Sequence, residues 1–189
     1  MQRIDLKELK KQLNQKTNVF NIKLENAKNV IIYFWNNLID EKIEWIEEYD
    51  KIAEWLTDNK GKGLFLYGAN GRGKSMMARI VLPAIIEYFF RKKFVVYTYV
   101  NVNEKLNEIL TKRFIVIDDI GKEDILNNFG TKRVSFAEIM DNCEVKGNMA
   151  IITSNLDGTQ IIEKYDNAVL DRIKSCCFRI PFKGVSFRE

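Results

Sequence analysis

The sequence predicts an α/β fold in which helices cover both faces of a five-stranded parallel sheet. Short apolar stretches typical of buried strands alternate along the chain with longer stretches of helical spacing. One glycine-rich loop directly follows the first of these strands and precedes a helix. At 189 residues the chain is long enough for one such domain and a short appendage, and too short for two full enzyme domains.

The composition limits the available chemistry. The 189 residues include no histidine, which excludes serine–histidine triads, histidine general bases and every metal site that needs histidine. The 3 cysteines are odd in number and lack C-x-x-C spacing, so we expect neither a zinc site nor a disulfide framework. A charged N-terminus and the lack of a long apolar run predict a cytoplasmic protein without membrane contact. Any catalysis must therefore use carboxylates, lysine, arginine, asparagine, backbone amides or a bound ion.

The first sixty residues consist of a basic half followed by an acidic half. Residues 1–30 carry 7 Lys and Arg against 3 acids, whereas residues 31–60 carry 8 acids against 3 lysines. This distribution indicates a docking arm for nucleic acid or an acidic partner, and solvated helix faces without a partner are the alternative. We expect an N-terminal helical arm over residues 1–44, able to dock a partner, ahead of a core over residues 45–189.

The spacing of apolar residues predicts the secondary structure N-terminal to the sheet. Residues 4–13 have the irregular spacing of a short amphipathic helix, and residues 30–35 are apolar enough for a buried helix or a buried strand. From Ile39, apolar residues recur at steps of three and four, which predicts a helix ending near residues 59–61. The tryptophans are expected in the core rather than on a partner-facing surface: Trp35, Trp45 and Trp55.

Strands and helices then alternate to the end of the chain. The expected strands cover residues 63–67, 94–100, 114–117, 149–153 and 175–182. The expected helices cover residues 75–91, 102–110, 132–143 and 159–174. Pro83 should kink the first of these helices, because proline lacks the amide that a helical turn needs.

Residues 68–75 read GANGRGKS and match G-x-x-x-x-G-K-[ST] at every fixed position. The glycines let the loop wrap closely, so that successive backbone N–H groups and a helix N-terminus face a β-phosphate. Lys74 should reach the β- and γ-phosphates, and the Ser75 hydroxyl should ligate Mg²⁺. A glycine-rich turn with an incidental Lys-Ser pair is the alternative. The predicted nucleotide-binding residues are Gly68, Ala69, Asn70, Gly71, Arg72, Gly73, Lys74, Ser75 and Met76.

Two acids end the third predicted strand, in the segment FIVIDD. The carboxyl ends of parallel strands meet at one edge of a sheet, so Asp118 and Asp119 should lie beside the glycine-rich loop. Asp118 would hold Mg²⁺ through water. Asp119 would orient or deprotonate an attacking water, a role that only a carboxylate can take in a chain without histidine. A plain Asp-Asp turn is the alternative.

The fourth predicted strand ends in Ser154 and Asn155. If this strand lies between the strand of the loop and the strand of the two acids, Asn155 can hydrogen-bond both a γ-phosphate and the attacking water. Asparagine at a strand end is also a common turn residue, and this alternative stays open.

The order of these segments resembles one known family. GLFLYGANGRGKS, FIVIDDIG, AIITSNL, LDRI and the closing FKGVSFR are similar to the ATPase core of AAA+ helicase loaders of the DnaC and DnaI type, and to the related IstB-type transposition helper ATPases. The resemblance runs over about residues 45–188. It implies a P-loop NTPase fold of the AAA+ ASCE class, without the C-terminal helical lid of typical AAA+ proteins.

The resemblance also implies roles for single residues. It implies a Walker A motif at residues 68–75, a Walker B motif at Asp118 and Asp119, a sensor 1 residue at Asn155 and an arginine finger at Arg172. The finger would complete the site of a neighbouring subunit, so a homo-oligomer is expected. With Lys74, the residues Asp119, Asn155 and Arg172 form the implied catalytic set, and ATP and Mg²⁺ are the implied cofactors.

Three features of the family are matched only in part. Arg188 matches the terminal arginine of the family's G-x-S-x-R ending, and the sequence assigns it no role. Relatives place DNA-contacting elements near residues 101–113, which here hold one short predicted helix, so binding of single-stranded DNA stays open. The short N-terminal region lacks the cysteines of the family's zinc-binding versions, and docking through it is a prediction of its own.

The function that the resemblance implies is a slow, assembly-dependent ATPase that loads or remodels a replicative hexameric DNA helicase. The small size suits a phage or mobile-element version. A transposition helper that coats duplex DNA is the alternative within the resemblance. A P-loop kinase would need an arginine-bearing lid, for which no insertion is long enough. A nucleotide-binding adaptor without turnover is disfavoured by the presence of Lys74, Asp118 and Asp119.

Overall fold

The computed structural model describes residues 19–128 and 131–187, and the predicted helix over residues 4–13 lies outside them. In the described part, five parallel strands form the main sheet. They are β1 (Gly63–Gly68), β2 (Val95–Thr98), β3 (Phe114–Ile120), β6 (Met149–Ser154) and β7 (Cys177–Phe182). A separate antiparallel hairpin consists of β4 (Leu126–Asn128) and β5 (Thr131–Arg133).

Helices flank this sheet. They are α1 (Ala27–Leu38), α2 (Glu47–Thr57), α3 (Lys74–Met76), α4 (Leu82–Phe90), α5 (Leu106–Ile109), α6 (Ser135–Lys146), α7 (Gly158–Lys164) and α8 (Asn167–Cys176). A π-helical turn over Met77–Val81 joins α3 to α4. None of the helices described is both long and apolar enough to cross a membrane.

The strand order of the main sheet is β2-β3-β6-β1-β7. Neighbouring strands all run parallel, with Leu64 of β1 opposite Ile151 of β6 on one side and Phe178 of β7 on the other. The loops that follow β1, β3 and β6 therefore open at the same edge of the sheet, which is where open α/β sheets bind ligands. The predicted fold class, a five-stranded parallel sheet with helices on both faces, is confirmed.

Side chains of each strand are buried on both faces of the sheet. Leu64 and Leu66 of β1 share a buried cluster with residues of α1, α2 and α4, whereas Phe65 shares a second cluster with residues of α6 and α8. Because both faces are covered, the strands are apolar at nearly every position instead of alternating. Trp35 and Trp55 are buried in the first cluster and Trp45 packs against it, as expected for core residues.

Helix α1 packs as part of the domain. Its side chains Ile31 and Trp35 are buried in the cluster that also contains β1. The segment that precedes α1 is also fixed to the domain. The buried Asn59, which follows α2, accepts a hydrogen bond from the Ile22 amide at 2.7 Å and donates one to the Phe20 carbonyl at 3.0 Å. A partner surface within residues 1–44 could therefore use the exposed side of α1, the exposed residues 40–42 or residues 1–18. That residues 1–44 act as a docking arm stays a prediction.

Helix α2 begins at Glu47 and not at Ile39. Ile39 is buried and Ile43 and Ile46 pack against the core from a non-helical segment, so their spacing reflects loop packing. The helix starts where acidic side chains fill its first turn and interact favourably with the helix dipole.

The predicted helix over residues 75–91 is present with a local irregularity. Pro83 lies at the start of α4, immediately after the π-helical turn over Met77–Val81. A wider turn is one way for a helix to continue past a residue without an amide hydrogen. Within this turn, Arg79 and Ile80 are exposed.

The remaining differences concern helix and strand bounds. The stretch predicted as one helix over residues 159–174 consists of α7 and α8, because the Asp166 carboxylate accepts a hydrogen bond from the Val169 amide at 2.8 Å and starts a new helix. The hairpin of β4 and β5 was not predicted, since its short polar strands carry no hydrophobic pattern.

Candidate nucleotide site

The loop after β1 has the backbone of an anion-binding loop. Gly68, Gly71 and Gly73 have φ values of 104°, 71° and 79°, in a region that other residues avoid. A Cβ atom on Gly73 would lie 2.2 Å from the Tyr49 hydroxyl oxygen, and one on Gly68 would lie 2.5 Å from the Phe182 carbonyl oxygen. These positions therefore require glycine for space as well as for conformation.

The loop leads into the start of α3, where Lys74 is held inward. Gly73 is the N-cap residue and supplies no side-chain cap to the first turn, and the start of a helix is the end that favours an anion. The Lys74 side chain is nearly buried, and its Nζ atom donates to the carbonyl oxygens of Gly68 at 2.9 Å and Ala69 at 2.6 Å. The ammonium group thus lies within the loop, where it could exchange these carbonyls for phosphate oxygens.

Asp118 is held at the carboxyl end of β3. It is 5% exposed, its Oδ1 atom accepts a hydrogen bond from the Thr153 hydroxyl at 2.6 Å, and its Oδ2 atom lies 3.5 Å from Nη1 of Arg79. The Thr153 hydroxyl oxygen also accepts the Asp119 amide hydrogen at 2.8 Å. One buried hydroxyl therefore fixes both acids. The sequence analysis missed Thr153, although it directly precedes Ser154 and Asn155 at a strand end.

Asp119 has an unusual backbone conformation. Its φ value is 66°, and a register shift separates Ile117 from Ile120 in the pairing of β3 with β6. The Oδ1 atom of Asp119 accepts a hydrogen bond from Nδ2 of Asn155 at 2.9 Å, and the Oδ2 atom lies 2.5 Å from Nζ of Lys122. A left-handed residue other than glycine costs energy, and such residues cluster at functional sites.

Asn155 lies where the sequence argument requires it. Strand β6 is placed between β1 and β3, so the residue that follows β6 stands between the glycine-rich loop and the two acids. Its side-chain amide contacts Asp119 directly. The structure thus brings the residues of the predicted Walker A, Walker B and sensor 1 motifs to one edge of the sheet.

The predicted metal ligands have suitable chemistry. Ser75 and Asp118 offer a hydroxyl and a carboxylate oxygen, which are the donors that Mg²⁺ prefers. A cation, the Arg79 guanidinium, already lies against Asp118. Ser75 would ligate the ion directly and Asp118 through water, and phosphate oxygens and further water would complete its shell. The residues therefore fit Mg²⁺.

A cavity of about 660 Å³ adjoins the loop. Its volume falls in the range of small-molecule sites. Of its three aromatic side chains, the Phe187 ring is exposed whereas Trp35 and Tyr49 are nearly buried, and two glutamates supply acceptors for hydrogen bonds. The lining residues include Trp35, Tyr49, Phe187, Glu41, Glu44, Gly71, Gly73 and Met76.

The Arg72 side chain contacts other residues of the protein, although the sequence predicts it as a nucleotide ligand. Its guanidinium contacts the Glu48 carboxylate, the Val185 carbonyl and the Phe187 ring. A role of Arg72 in phosphate binding therefore rests on its backbone amide. The sequence carries no local signal for this arrangement, because Glu48 and Val185 are far from Arg72 along the chain.

Arg172 pairs with acids of its own chain. It lies on α8 with its side chain 30% exposed, and its Nε atom contacts the carboxylates of Asp141 and, at 3.7 Å, Glu144 on α6. This is the intramolecular pairing that a surface arginine would show. A finger acting in trans would have to exchange these carboxylates for a neighbour's phosphate, and that role stays a prediction.

A buried acid beyond the predicted set supports the turn after β3. Glu123 accepts hydrogen bonds from the Gly121 amide at 2.7 Å and from the Tyr165 hydroxyl. Burial and the adjacent carboxylate raise the pKa of Tyr165 far above its ordinary value, so the phenol stays protonated. The turn that follows Asp119 is thus fastened to the segment between α7 and α8.

Comparisons with known proteins agree with this arrangement. A family model described as RNA helicase matches residues 64–157, a range that begins in β1 and ends just beyond Asn155. Among curated protein sequences, none matches the chain.

Several solved structures share the fold. The DnaC helicase loader is 16% identical, with a TM-score of 0.62 over 80% of this chain and 99% of that chain. DnaI is 21% identical, with a TM-score of 0.53 over 67% of this chain and 73% of that chain. AMPPCP-bound DnaA from Aquifex aeolicus is 13% identical, with a TM-score of 0.54 over 75% of this chain and 48% of that chain. The resemblance to AAA+ loaders predicted from the sequence is thereby confirmed, and at these identities it is a likeness of fold.

Proposed function

We propose that this chain binds ATP with Mg²⁺, hydrolyses it to ADP and phosphate, and uses this cycle to load or remodel a replicative hexameric DNA helicase. One observation carries the proposal. The glycine-rich loop, the two acids and Asn155 meet at one edge of a sheet whose fold is that of helicase loaders. We expect hydrolysis to be slow in the isolated chain and faster in an oligomer.

The residues at this edge divide the chemistry of phosphoryl transfer between them. Backbone amides of the loop and Lys74 bind the β- and γ-phosphates. Ser75 and Asp118 hold Mg²⁺, which neutralises charge on the phosphate oxygens. Asp119 orients or deprotonates the attacking water, and Asn155 positions both the water and the γ-phosphate. Asn155 and Lys122 each contact one oxygen of the Asp119 carboxylate, and the remaining lone pairs can accept a hydrogen bond from the attacking water.

The cavity beside the loop supports a nucleotide rather than a bare phosphate as the ligand. It opens next to Gly71 and Gly73, where the phosphates of the ligand would lie. The exposed Phe187 ring can stack on a flat heterocycle, and Glu41 and Glu44 can accept hydrogen bonds from an exocyclic amino group. We assign this cavity to the base of ATP.

An exposed aromatic cluster on the far side of α1 supports a protein partner. Phe34 of α1 lies 5.8 Å from Tyr88 of α4 between ring centroids, and Tyr88 lies 5.0 Å from Phe89. Tyr33 and Tyr88 are 65% and 62% exposed. Exposed apolar patches of this kind mark protein interaction sites. Tyr33 and Phe34 belong to the predicted docking arm, and Tyr88 and Phe89 lie beside them on α4, so we assign the cluster to the helicase.

We expect the double substitution Tyr33→Ser and Tyr88→Ser to weaken helicase binding about tenfold or more, because aromatic anchors dominate protein interfaces. ATP binding should be unchanged. The measurement is the dissociation constant of the complex by biolayer interferometry, with Val145→Ser, an exposed apolar residue of α6, as the control. Undiminished binding would move the partner surface to residues 1–18 or to the nucleotide edge.

A deletion can complement this test only if it spares the core. Removing residues 1–40 would take away Ile31 and Trp35, which are buried beside β1, and would unfold the domain. Removing residues 1–18 leaves every core residue of the described part in place. The shorter deletion therefore tests docking without removing a described core residue.

The match to an RNA helicase model favours a second candidate function, in which the chain itself translocates on nucleic acid. The assay that separates the functions measures ATP turnover by the purified chain alone, with the helicase, with duplex DNA, and with single-stranded DNA or RNA. A loader is stimulated most by the helicase, a transposition helper by duplex DNA, and a motor by a single strand that it then unwinds from its complement. If no mixture shows ATP turnover, all three functions are contradicted.

A further inference from the structure

The segment after β7 folds back onto the glycine-rich loop. We call residues 183–187 the strap. The Phe187 amide donates a hydrogen bond to the Gly71 carbonyl at 2.9 Å, and Nη1 of Arg72 donates one to the Val185 carbonyl at 3.0 Å. A Cβ atom on Gly184, whose φ value is 101°, would approach Nη1 of Arg72 to 3.0 Å. The strap and the loop are thus in direct contact over several residues.

A nearly buried ion pair anchors this contact to α2. Nη2 of Arg72 lies 3.3 Å from Oε2 of Glu48, and both side chains are about a tenth exposed. Glu48 also accepts a hydrogen bond from the Lys183 amide at 2.9 Å, which is the first amide of the strap. Burial opposes ionisation of Glu48, but the hydrogen bonds from the Lys183 and Glu48 amides and the Arg72 charge outweigh it and lower its pKa.

The backbone of Arg72 is held from the same helix. The Tyr49 hydroxyl donates a hydrogen bond to the Arg72 carbonyl at 3.2 Å. Arg72 therefore connects the loop to α2 through its backbone and to the strap through its side chain. In this arrangement the guanidinium joins Glu48 to the Val185 carbonyl.

Phe187 places the strap at the cavity beside the loop. Its ring lies 4.9 Å from Cζ of Arg72, in a cation–π contact, and lines the cavity together with Trp35 and Tyr49. The position of this ring depends on the hydrogen bond from the Phe187 amide to the Gly71 carbonyl and on the contact with the Arg72 guanidinium. Without Arg72, the cavity would lose the support of one wall.

We propose that Arg72 is a positioning residue that acts through the strap: it holds Phe187 against the cavity, so that the base of the nucleotide is bound against the exposed Phe187 ring. The inference rests on the proposed ATP binding and extends it, because it gives the side chain of Arg72 a role on the base and not on the phosphates. The ligand it implies is a flat heterocycle joined to a triphosphate.

A direct phosphate contact is the competing role for this side chain. Nε of Arg72 is buried without a hydrogen-bond partner, so the guanidinium retains a donor that a rearrangement could offer to a phosphate oxygen. The two roles differ in one respect. An arginine that binds phosphate matters equally for ATP and for inorganic tripolyphosphate, whereas an arginine that supports the base matters for ATP alone.

The experiment measures dissociation constants of the full chain for ATP and for inorganic tripolyphosphate by isothermal titration calorimetry. The variants are Arg72→Ala, Phe187→Ala and the double variant, and the control is Arg179→Ala, an exposed arginine of β7. We expect each single variant to weaken ATP binding about tenfold, as for loss of one aromatic stacking contact, and to change tripolyphosphate binding far less. The double variant should be no weaker than either single variant, since both remove the same support.

Three outcomes decide the matter. Equal losses for ATP and tripolyphosphate in Arg72→Ala would overturn the proposal in favour of a phosphate contact. Normal ATP affinity in Phe187→Ala, whose partly exposed ring is not needed for folding, would overturn it as well. Wild-type protein that binds neither ligand would contradict the proposed ATP binding itself, which distinguishes that failure from a failure of the strap.

Discussion

Asp119→Asn should leave ATP binding near that of wild type and lower the rate of ATP hydrolysis about a hundredfold or more, because the carboxylate that acts on the attacking water is lost. The substitution is well matched to the site. Asparagine adopts the left-handed conformation of Asp119 at least as readily as aspartate, and the hydrogen bond from the Asp119 backbone amide to the Thr153 hydroxyl does not involve the side chain. The change therefore tests the charge and not the backbone.

Two comparisons complete this experiment. Lys74→Ala should lose measurable ATP binding, because the ammonium held inside the loop is the group expected to meet the phosphates. Asp124→Asn, a change of the same type at an exposed acid near Asp119, should alter neither binding nor turnover. Fluorescent nucleotide titration and phosphate release are the measurements. Equal turnover by wild type and Asp119→Asn would remove Asp119 from the catalytic set.

Arg172→Ala should bind ATP nearly normally and hydrolyse it about a thousandfold more slowly, the effect of arginine fingers in other phosphoryl-transfer enzymes. The competing role is the one visible within a single chain, where Arg172 pairs with Asp141 and Glu144. A partly exposed pair of this kind contributes under about 1 kcal/mol to stability, and its loss would leave ATP turnover unchanged. The two roles thus differ by orders of magnitude in the rate.

Mixing variants shows whether Arg172 acts on a neighbouring subunit. Asp119→Asn binds ATP and retains Arg172, whereas Arg172→Ala retains an intact Asp119. In a head-to-tail oligomer formed from equal amounts, about a quarter of the interfaces pair an intact site with an intact finger, so activity should return to that level. Arg179→Ala serves as the control arginine. An inactive mixture, with wild-type turnover independent of protein concentration, would contradict action in trans.

The central part of the fold could be predicted from the sequence because its signals are local. Strands buried on both faces are continuous apolar runs, and a parallel sheet places the residues that follow such strands at one edge. This reasoning located Asp118, Asp119 and Asn155 correctly with respect to the loop. It failed for α2, because the isoleucines before Glu47 pack against the core from a loop with helix-like spacing.

The connections that stabilise the site could not be predicted, because they join residues distant in the sequence. Glu48 reaches Arg72 and the strap only once α2 has packed beside the loop. Thr153 fixes both acids only once β6 has paired with β3. Hydrophobic periodicity carries no information on such polar contacts, and a charged residue like Arg72 has no local feature that distinguishes a phosphate ligand from a structural ion pair.

The most direct test of the account measures helicase loading. The replicative helicase of the host is incubated with a closed single-stranded DNA circle covered by single-strand binding protein, with and without this chain and ATP, and the helicase retained on the circle is quantified. The account predicts retention that requires both the chain and ATP and that falls with Lys74→Ala. A chain that binds and hydrolyses ATP yet leaves helicase retention unchanged would contradict it.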